Sequence, residues 1–463
     1  MKKQILVLFF FVVNSVFASS TAVDIPSSIK NNVSFTILKA KSGNVVASFN
    51  GNTPRLVASN MKLVTTYIAL EQLKSNFTWH TRLYYSGTIH KGVLNGQVYI
   101  KGGGDPTFTK TDLYNLLSQL QKLKIKSING DVVVDENIFN SLPTYSMLKE
   151  EPYDSDTILP HGFMVDGDSS NFTLNIQNSK VIISSNLNGD DIVNKLTVNS
   201  KLTTCTDIYS KIKINLGTQK VVLSGEISPV CDGKNLEYSL FKHEKYLDLS
   251  IEEALDKLGI DYNQIDVVNV PGSVPQHITL ITDHASSTLD TILYTMNHYS
   301  VNLMAESIFL SIGAYTTKNV DTYHDAKAAY ADFMNEHELS NSPFKLENGA
   351  GLSRTEYLTT NGLASMLLDV DNSSLKQPFE ITLPSPVSVG TLEGKFVSFG
   401  NRLQCKTGTL NDVKSYAGFF HSKTGQKYIV VFTVNGLEKN SNDFVLFDQY
   451  FAKNLMLLDK LQN

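Results

Sequence analysis

The chain of 463 residues carries 40 Lys and Arg against 45 Asp and Glu, a formal charge of -5, with 42% hydrophobic and 18% charged residues. That length amounts to two or three domains at about 150 residues each, and the acidic balance excludes an electrostatic binder of nucleic acid. Apolar content is too high for a disordered chain, and three cysteines are too few for a disulfide scaffold.

Lys2 and Lys3 precede an apolar run from Ile5 to Val13, followed by Val16, Phe17 and Ala18 before Ser19. This pattern predicts a secretory signal peptide over residues 1–18, cut after Ala18. The run is too short for a bilayer, which takes about 20 residues, so the mature chain is expected to be exported with no transmembrane span. Export permits a disulfide, and Cys205 with Cys231 is the expected pair. Cys405 lies in an alternating strand and reads as a small buried hydrophobe. The histidines are scattered, and neither a spaced Cys/His set nor His-Glu-x-x-His occurs, so no metal and no cofactor are expected.

Phe35 to Phe49 reads as a hairpin around Lys41-Ser42-Gly43-Asn44. A helix is predicted from Arg55 to Leu73, with Leu63, Tyr67 and Leu70 at helical spacing along an amphipathic face. From about Leu83 to Asp283, short alternating stretches (Gln97 to Ile100, Asp131 to Val134, Lys180 to Ser184, Lys211 to Asn215, Val221 to Ser224) are separated by Gly, Asn and Asp clusters. Thr109 to Leu123 is a helix within this β-rich region. Helices then dominate at Asp290 to Ile312, Tyr323 to Leu339 and Thr360 to Leu368. A strand meander from Arg402 to Asn435 follows, and an amphipathic helix from Phe444 to Leu461 closes the pattern. The simplest architecture is one α/β domain built from both ends of the chain, with one or two smaller domains inserted.

Ser59-Asn60-Met61-Lys62 is a Ser-x-x-Lys opening the first long helix. Residues at i and i+3 share a helix face, and a lysine one turn from a serine in a partly desolvated site can take the hydroxyl proton. The same spacing recurs elsewhere, for instance at Ser146/Lys149 and Ser342/Lys345, but only Ser59 follows a hairpin and starts a long helix. Ser300-Val301-Asn302 is a Ser-x-Asn set in a polar run inside an otherwise apolar helical region. Lys406-Thr407-Gly408-Thr409 ends a strand, where small residues let a substrate backbone lie along the edge while Lys and Thr meet a carboxylate. A second copy, Lys423-Thr424-Gly425, falls between two apolar runs and reads as a hairpin turn.

Ser-x-x-Lys, Ser-x-Asn and Lys-Thr-Gly in that order mark the serine penicillin-recognising enzymes. Nearly the whole mature chain resembles the D-alanyl-D-alanine carboxypeptidase/endopeptidases of the class C penicillin-binding proteins. The likeness extends to Gly102-Gly103-Gly104-Asp105-Pro106-Thr107, Asn129 to Asp135, Asn348-Gly349-Ala350-Gly351-Leu352-Ser353-Arg354, Gly390-Thr391-Leu392 and Tyr416-Ala417-Gly418. Asn348 and Ala350 stand where the family tends to have Asp and Ser, and Leu159 to Asn171 follows the family's segment facing the active site only loosely.

The resemblance implies an α/β (α+β) fold: a transpeptidase-like (β-lactamase-like) domain from residues 19–82 and 284–463, and an inserted region, 83–283, holding two small β-rich domains. It implies Ser59 as nucleophile, Lys62 as general base, Ser300 as proton relay and Asn302 as a substrate-binding amide. Lys406, Thr407, Gly408 and Thr409 are then the carboxylate-binding strand, and the N–H groups of Ser59 and Thr409 form the oxyanion hole. The implied substrate is peptidoglycan stem peptide in the periplasm, with β-lactams as covalent inhibitors. A serine β-lactamase or esterase using the same trio, or a non-catalytic wall-binding protein, are the competing readings.

Overall fold

In the computed structural model, the described residues are 23–143, 158–187, 192–206, 208–217, 220–269, 275, 278–317 and 321–461. The expected signal peptide lies outside them. No helix among the described residues is long and apolar enough to cross a membrane.

The strand Val33–Lys39 pairs along its length with Lys427–Asn435, Val33 opposite Val434 and Lys39 opposite Tyr428. One antiparallel sheet therefore joins the two ends of the sequence, in the order Leu403–Leu410, Val413–His421, Lys427–Asn435, Val33–Lys39, Val45–Phe49. Side chains alternate between its faces. Val33, Phe35 and Ile37 share one face with Tyr416, Val430 and Phe432, covered by Phe444, Phe447, Phe451 and Leu455 of the helix Asn442–Leu458. Ala417, Phe419, Ile429 and Val431 face the opposite way, against the helices Met61–Gln72, Leu289–Tyr299, Asn302–Thr316, Thr322–Glu336 and Thr360–Asn372. The hairpin, the meander and the apolar stripe of the last helix agree with the sequence reading.

Two expectations are corrected. The helix after Ser59 is not amphipathic: Met61 to Leu70 are all buried, because it runs through the middle of the domain with sheet on one side and helices on the other. The predicted Asp290 to Ile312 helix is two helices, Leu289–Tyr299 and Asn302–Thr316, parted where Ser300 takes a left-handed φ of 62°.

The stretch between the first and second motifs leaves the helical layer through His80–Tyr85 and returns through Thr279–Ala285, and these two strands pair antiparallel. They belong to a five-stranded sheet ordered Ile265–Val268, Val132–Asp135, Val98–Lys101, His80–Tyr85, Thr279–Ala285. The helices Lys110–Lys122 and His243–Leu258 share its core. A six-stranded sheet with its own core holds the strands between Ser170 and Tyr238, and beside that core Cys205 and Cys231 are bonded. The Gly102-Gly103-Gly104 run is a close crossing. A Cβ on Gly104 would lie 2.4 Å from the Phe139 ring and one on Gly102 2.2 Å from the Gly162 carbonyl oxygen, while the Tyr315 hydroxyl donates to the Gly103 carbonyl at 2.8 Å.

Candidate active site

Ser59 sits in a single 3-10 turn, Ala58–Asn60, directly before the buried helix Met61–Gln72. The residue before it, Ala58, has a φ of 48°, a left-handed conformation that L-residues other than Asn and Asp seldom adopt. Two glycines allow the turn to be packed this closely. A Cβ on Gly351, itself at φ 90°, would lie 2.0 Å from the Ala58 carbonyl oxygen. One on Gly408 would lie 2.7 Å from the Val57 carbonyl oxygen and 2.3 Å from Ser415 Oγ. The Ser415 hydroxyl donates to that Val57 carbonyl at 2.7 Å, so the Lys-Thr-Gly strand and its neighbour both clamp the turn carrying Ser59.

Lys62 is fully buried. Its Nζ lies 3.1 Å from Ser59 Oγ, 2.7 Å from Asn302 Oδ1 and 2.8 Å from the Ala350 carbonyl oxygen. Amide oxygens accept but do not donate, so two of these contacts hold N–H groups and the third directs the nitrogen at the serine hydroxyl. Asn348 shapes the loop that presents Ala350: its Oδ1 accepts from the N–H groups of Ala350 and Gly351, and its Nδ2 donates to the buried Glu306. An aspartate at 348 would face that acid with no proton to give.

Ser300 projects from the break between two helices, and Lys406 Nζ donates to its Oγ at 2.8 Å. Lys406 is also fully buried and donates to the Thr407 carbonyl. Burial, and next the charge of Lys62, push its pKa well below the usual lysine value. Gly390-Thr391 ties these elements together. The Thr391 N–H donates to the His298 carbonyl, two residues before Ser300, and Thr391 Oγ1 accepts from Thr407 Oγ1 at 2.8 Å.

Leu403–Leu410 is the outermost strand of its sheet. The Cys405 N–H points away from the sheet, donating to the Pro384 carbonyl. With a period of two, the N–H of Thr407 and Thr409 points the same way. Gly408 is buried and Thr409 exposed, so the strand offers a backbone edge at the point where it passes Ser59. The second Lys-Thr-Gly copy lies in the turn between the strands Val413–His421 and Lys427–Asn435, away from these groups.

All eight residues singled out from sequence thus meet in one place. Sequence reasoning missed Ala58, the Ala350 carbonyl, Thr391 as a bridge, and Glu356. Glu356 is buried and accepts from the N–H groups of Glu347 and Asn348, and burial raises its pKa to about 7. The repeated small residues of Asn348 to Gly351 were the available signal for the loop, and nothing in the sequence marked Glu356.

A serine paired with a buried lysine, a second serine at a helix break and an open strand edge define a serine hydrolase of the penicillin-recognising class, on a mixed α/β fold with β-rich additions. The sequence pattern of the D-Ala-D-Ala carboxypeptidase 3 (S13) family matches residues 18–445, and the chain belongs to that family. It is a serine-type D-alanyl-D-alanine carboxypeptidase. The D-alanyl-D-alanine carboxypeptidase DacB of Haemophilus influenzae is 26% identical over 423 residues, 88% of this chain and 86% of the relative. The D-alanyl-D-alanine carboxypeptidase of Actinomadura sp. strain R39 is 22% identical over 407 residues, 84% of this chain and 75% of the relative. The crystal structure of penicillin binding protein 4 from Haemophilus influenzae has the same fold, with a TM-score of 0.77 at 23% identity over 93% of this chain and 97% of that one. That protein has also been solved in complex with a novel β-lactam, a structure with a TM-score of 0.72 at 23% identity over 92% of this chain and 96% of that one.

Proposed function

We propose that this enzyme removes the terminal D-alanine from peptidoglycan stem peptides in the periplasm, and opens D,D-cross-links, through an acyl-enzyme on Ser59. The observation that carries the residue roles is the placement of Lys62 Nζ, 3.1 Å from Ser59 Oγ and held from behind by Asn302 and Ala350. With Lys62 neutral, its lone pair takes the Ser59 proton as Oγ attacks the penultimate D-alanine carbonyl. The oxyanion lies between the N–H groups of Ser59 and Thr409, where a donor is worth about 3 kcal/mol. Ser300, held by Lys406, carries the proton from Lys62 to the leaving amine. Lys406, Thr407 and Thr409 bind the terminal carboxylate, Gly408 keeps the strand close, and Asn302 bonds the peptide amide. Water then completes hydrolysis.

The division of labour follows the chain: residues 19–82 and 284–463 form the catalytic domain, and 83–283 two β-rich additions. The paired strands His80–Tyr85 and Thr279–Ala285, both in the addition's sheet, support a boundary within about three residues of these. The complex of the Haemophilus protein with a β-lactam supports covalent inhibition of this enzyme by the same drugs. Two experiments test the reading. A fluorescent penicillin should label the wild type and not Ser59→Ala; rapid release of hydrolysed penicillin would make it a β-lactamase instead. Digestion of cross-linked muropeptides, read by mass, should yield loss of one D-alanine from pentapeptides and conversion of dimers to monomers.

A further inference from the structure

Glu136, His161 and His243 are far apart in sequence, which is why no metal was expected from spacing. The fold brings one ligand atom of each within 4.8 Å of the others. Glu136 follows the Val132–Asp135 strand and is buried, His161 lies in the segment before the Asp166–Asp168 turn, and His243 is the first residue of the His243–Leu258 helix. His243 Nε2 is 2.6 Å from Glu136 Oε1, and His161 Nδ1 is 3.7 Å from Glu136 Oε2. The two imidazoles lie nearly parallel, centroids 3.6 Å apart.

We propose that Glu136, His161 and His243 form a binding site for a divalent transition metal, zinc by choice of donors. Two imidazoles and one carboxylate are a zinc donor set with room for a fourth ligand. Bonds of about 2.0–2.2 Å require the Glu136–His243 contact to open and the Glu136–His161 contact to close, each by less than about 1 Å, and the His161 ring to tilt out of its stack on His243 so that both in-plane lone pairs reach one ion. The outer contact is also present: Asp168 Oδ2 sits 2.6 Å from His243 Nδ1, the carboxylate–histidine–metal arrangement that orients a ligating ring.

Charge supplies an independent argument. Glu136 and Asp168 are both buried carboxylates facing His243, and among the described residues no Lys or Arg pairs with either. A divalent cation here would balance the two buried carboxylates, of which Asp168 Oδ1 has no hydrogen-bond partner. The ligands also span the right elements to matter. A Cβ on Gly162, beside His161, would lie 2.2 Å from the Glu136 carbonyl oxygen, and one on Gly167 would lie 2.8 Å from Leu303, next to Asn302. The metal would fasten the additions at the wall of the catalytic cleft.

The test uses the purified mature chain, stripped with EDTA and titrated with Zn2+ against a chromogenic chelator, with metal content read by mass spectrometry. One Zn2+ per chain is expected, with affinity at least tenfold weaker in His161→Ala and in Glu136→Gln, and about 10- to 100-fold weaker in Asp168→Asn. Circular dichroism of each variant checks its fold, and the visible spectrum of Co2+ on the unmutated chain reports low-symmetry nitrogen ligation without any substitution. Failure of the wild type to take up Zn2+, a six-coordinate Co2+ spectrum, or wild-type affinity in both His161→Ala and Glu136→Gln overturns the site.

Discussion

Lys62 Nζ donates to Asn302 Oδ1 at 2.7 Å across a sequence separation of 240 residues. That bond joins the first and second motifs, and it fixes which way the amine faces. Removing either end should therefore act on the proton transfer more than on the fold. Lys62→Met is expected to cut penicillin acylation by roughly 10^4-fold, the upper end of what a positioned general base contributes, while Asn302→Ala should retain more. Stopped-flow acylation of the two variants checks this; equal rates for Lys62→Met and wild type would remove Lys62 from the chemistry.

Gly351→Ala puts a methyl against the Ala58 carbonyl at a backbone φ of 90°. The left-handed conformation alone costs about 1–3 kcal/mol. Relief of the clash moves Ser59, and a displacement of about 1 Å at a catalytic group costs on the order of 100-fold in rate. Gly425→Ala, in the turn of the second Lys-Thr-Gly, is the control: its φ is 86° but nothing lies within 4 Å, so it should cost stability with the acylation rate unchanged. Thermal melts and acylation rates of both variants separate the two effects.

Glu356 gives the fold a pH dependence. Burial raises it from 4.5 to about 7, against the opposing pull of the Glu347 and Asn348 N–H groups and the charge of Lys62. The native state thus holds this proton more tightly than the unfolded chain. The stabilisation is complete below about pH 4.5 and is lost as pH rises through about 7. Relative to Glu356→Gln, the wild type should lose about 3 kcal/mol between those limits. Urea unfolding of both proteins across that range measures it, and parallel pH profiles would show that Glu356 titrates alike in both states.

Burial pushes the Cys405 thiol up to about 12, and the side chain is enclosed. A thiol reagent should find nothing to modify in the native protein, one thiol in guanidinium, and three once the Cys205–Cys231 bond is reduced. Labelling of the native chain would mean that the Lys406 strand opens.

What was legible in sequence was local or ordered. The three motifs could be read because each is short, and the sheet ends because alternation marks them. The break at Ser300 was not legible, since Asn297 and His298 look like solvent-facing polar residues yet are buried. Their partners, Thr66 and Thr382 for Asn297 and the Val389 carbonyl for His298, come from distant segments. The helix after Ser59 was misread for a related reason: periodicity names one apolar face, and only tertiary context shows that every face is covered. Glu136, His161 and His243 carry no common pattern at all, and only the chain's path through two sheets assembles them.

His80 faces Ala285 and Tyr85 faces Thr279, so the excursion departs and returns on neighbouring strands, about 5 Å apart as in any antiparallel pair. A module tethered by such adjoining stems can be grafted, enlarged or trimmed in a lineage without re-threading its host. A hydrolase without the addition would need only a short turn at that spot, and the same stems are where a protein engineer would cut.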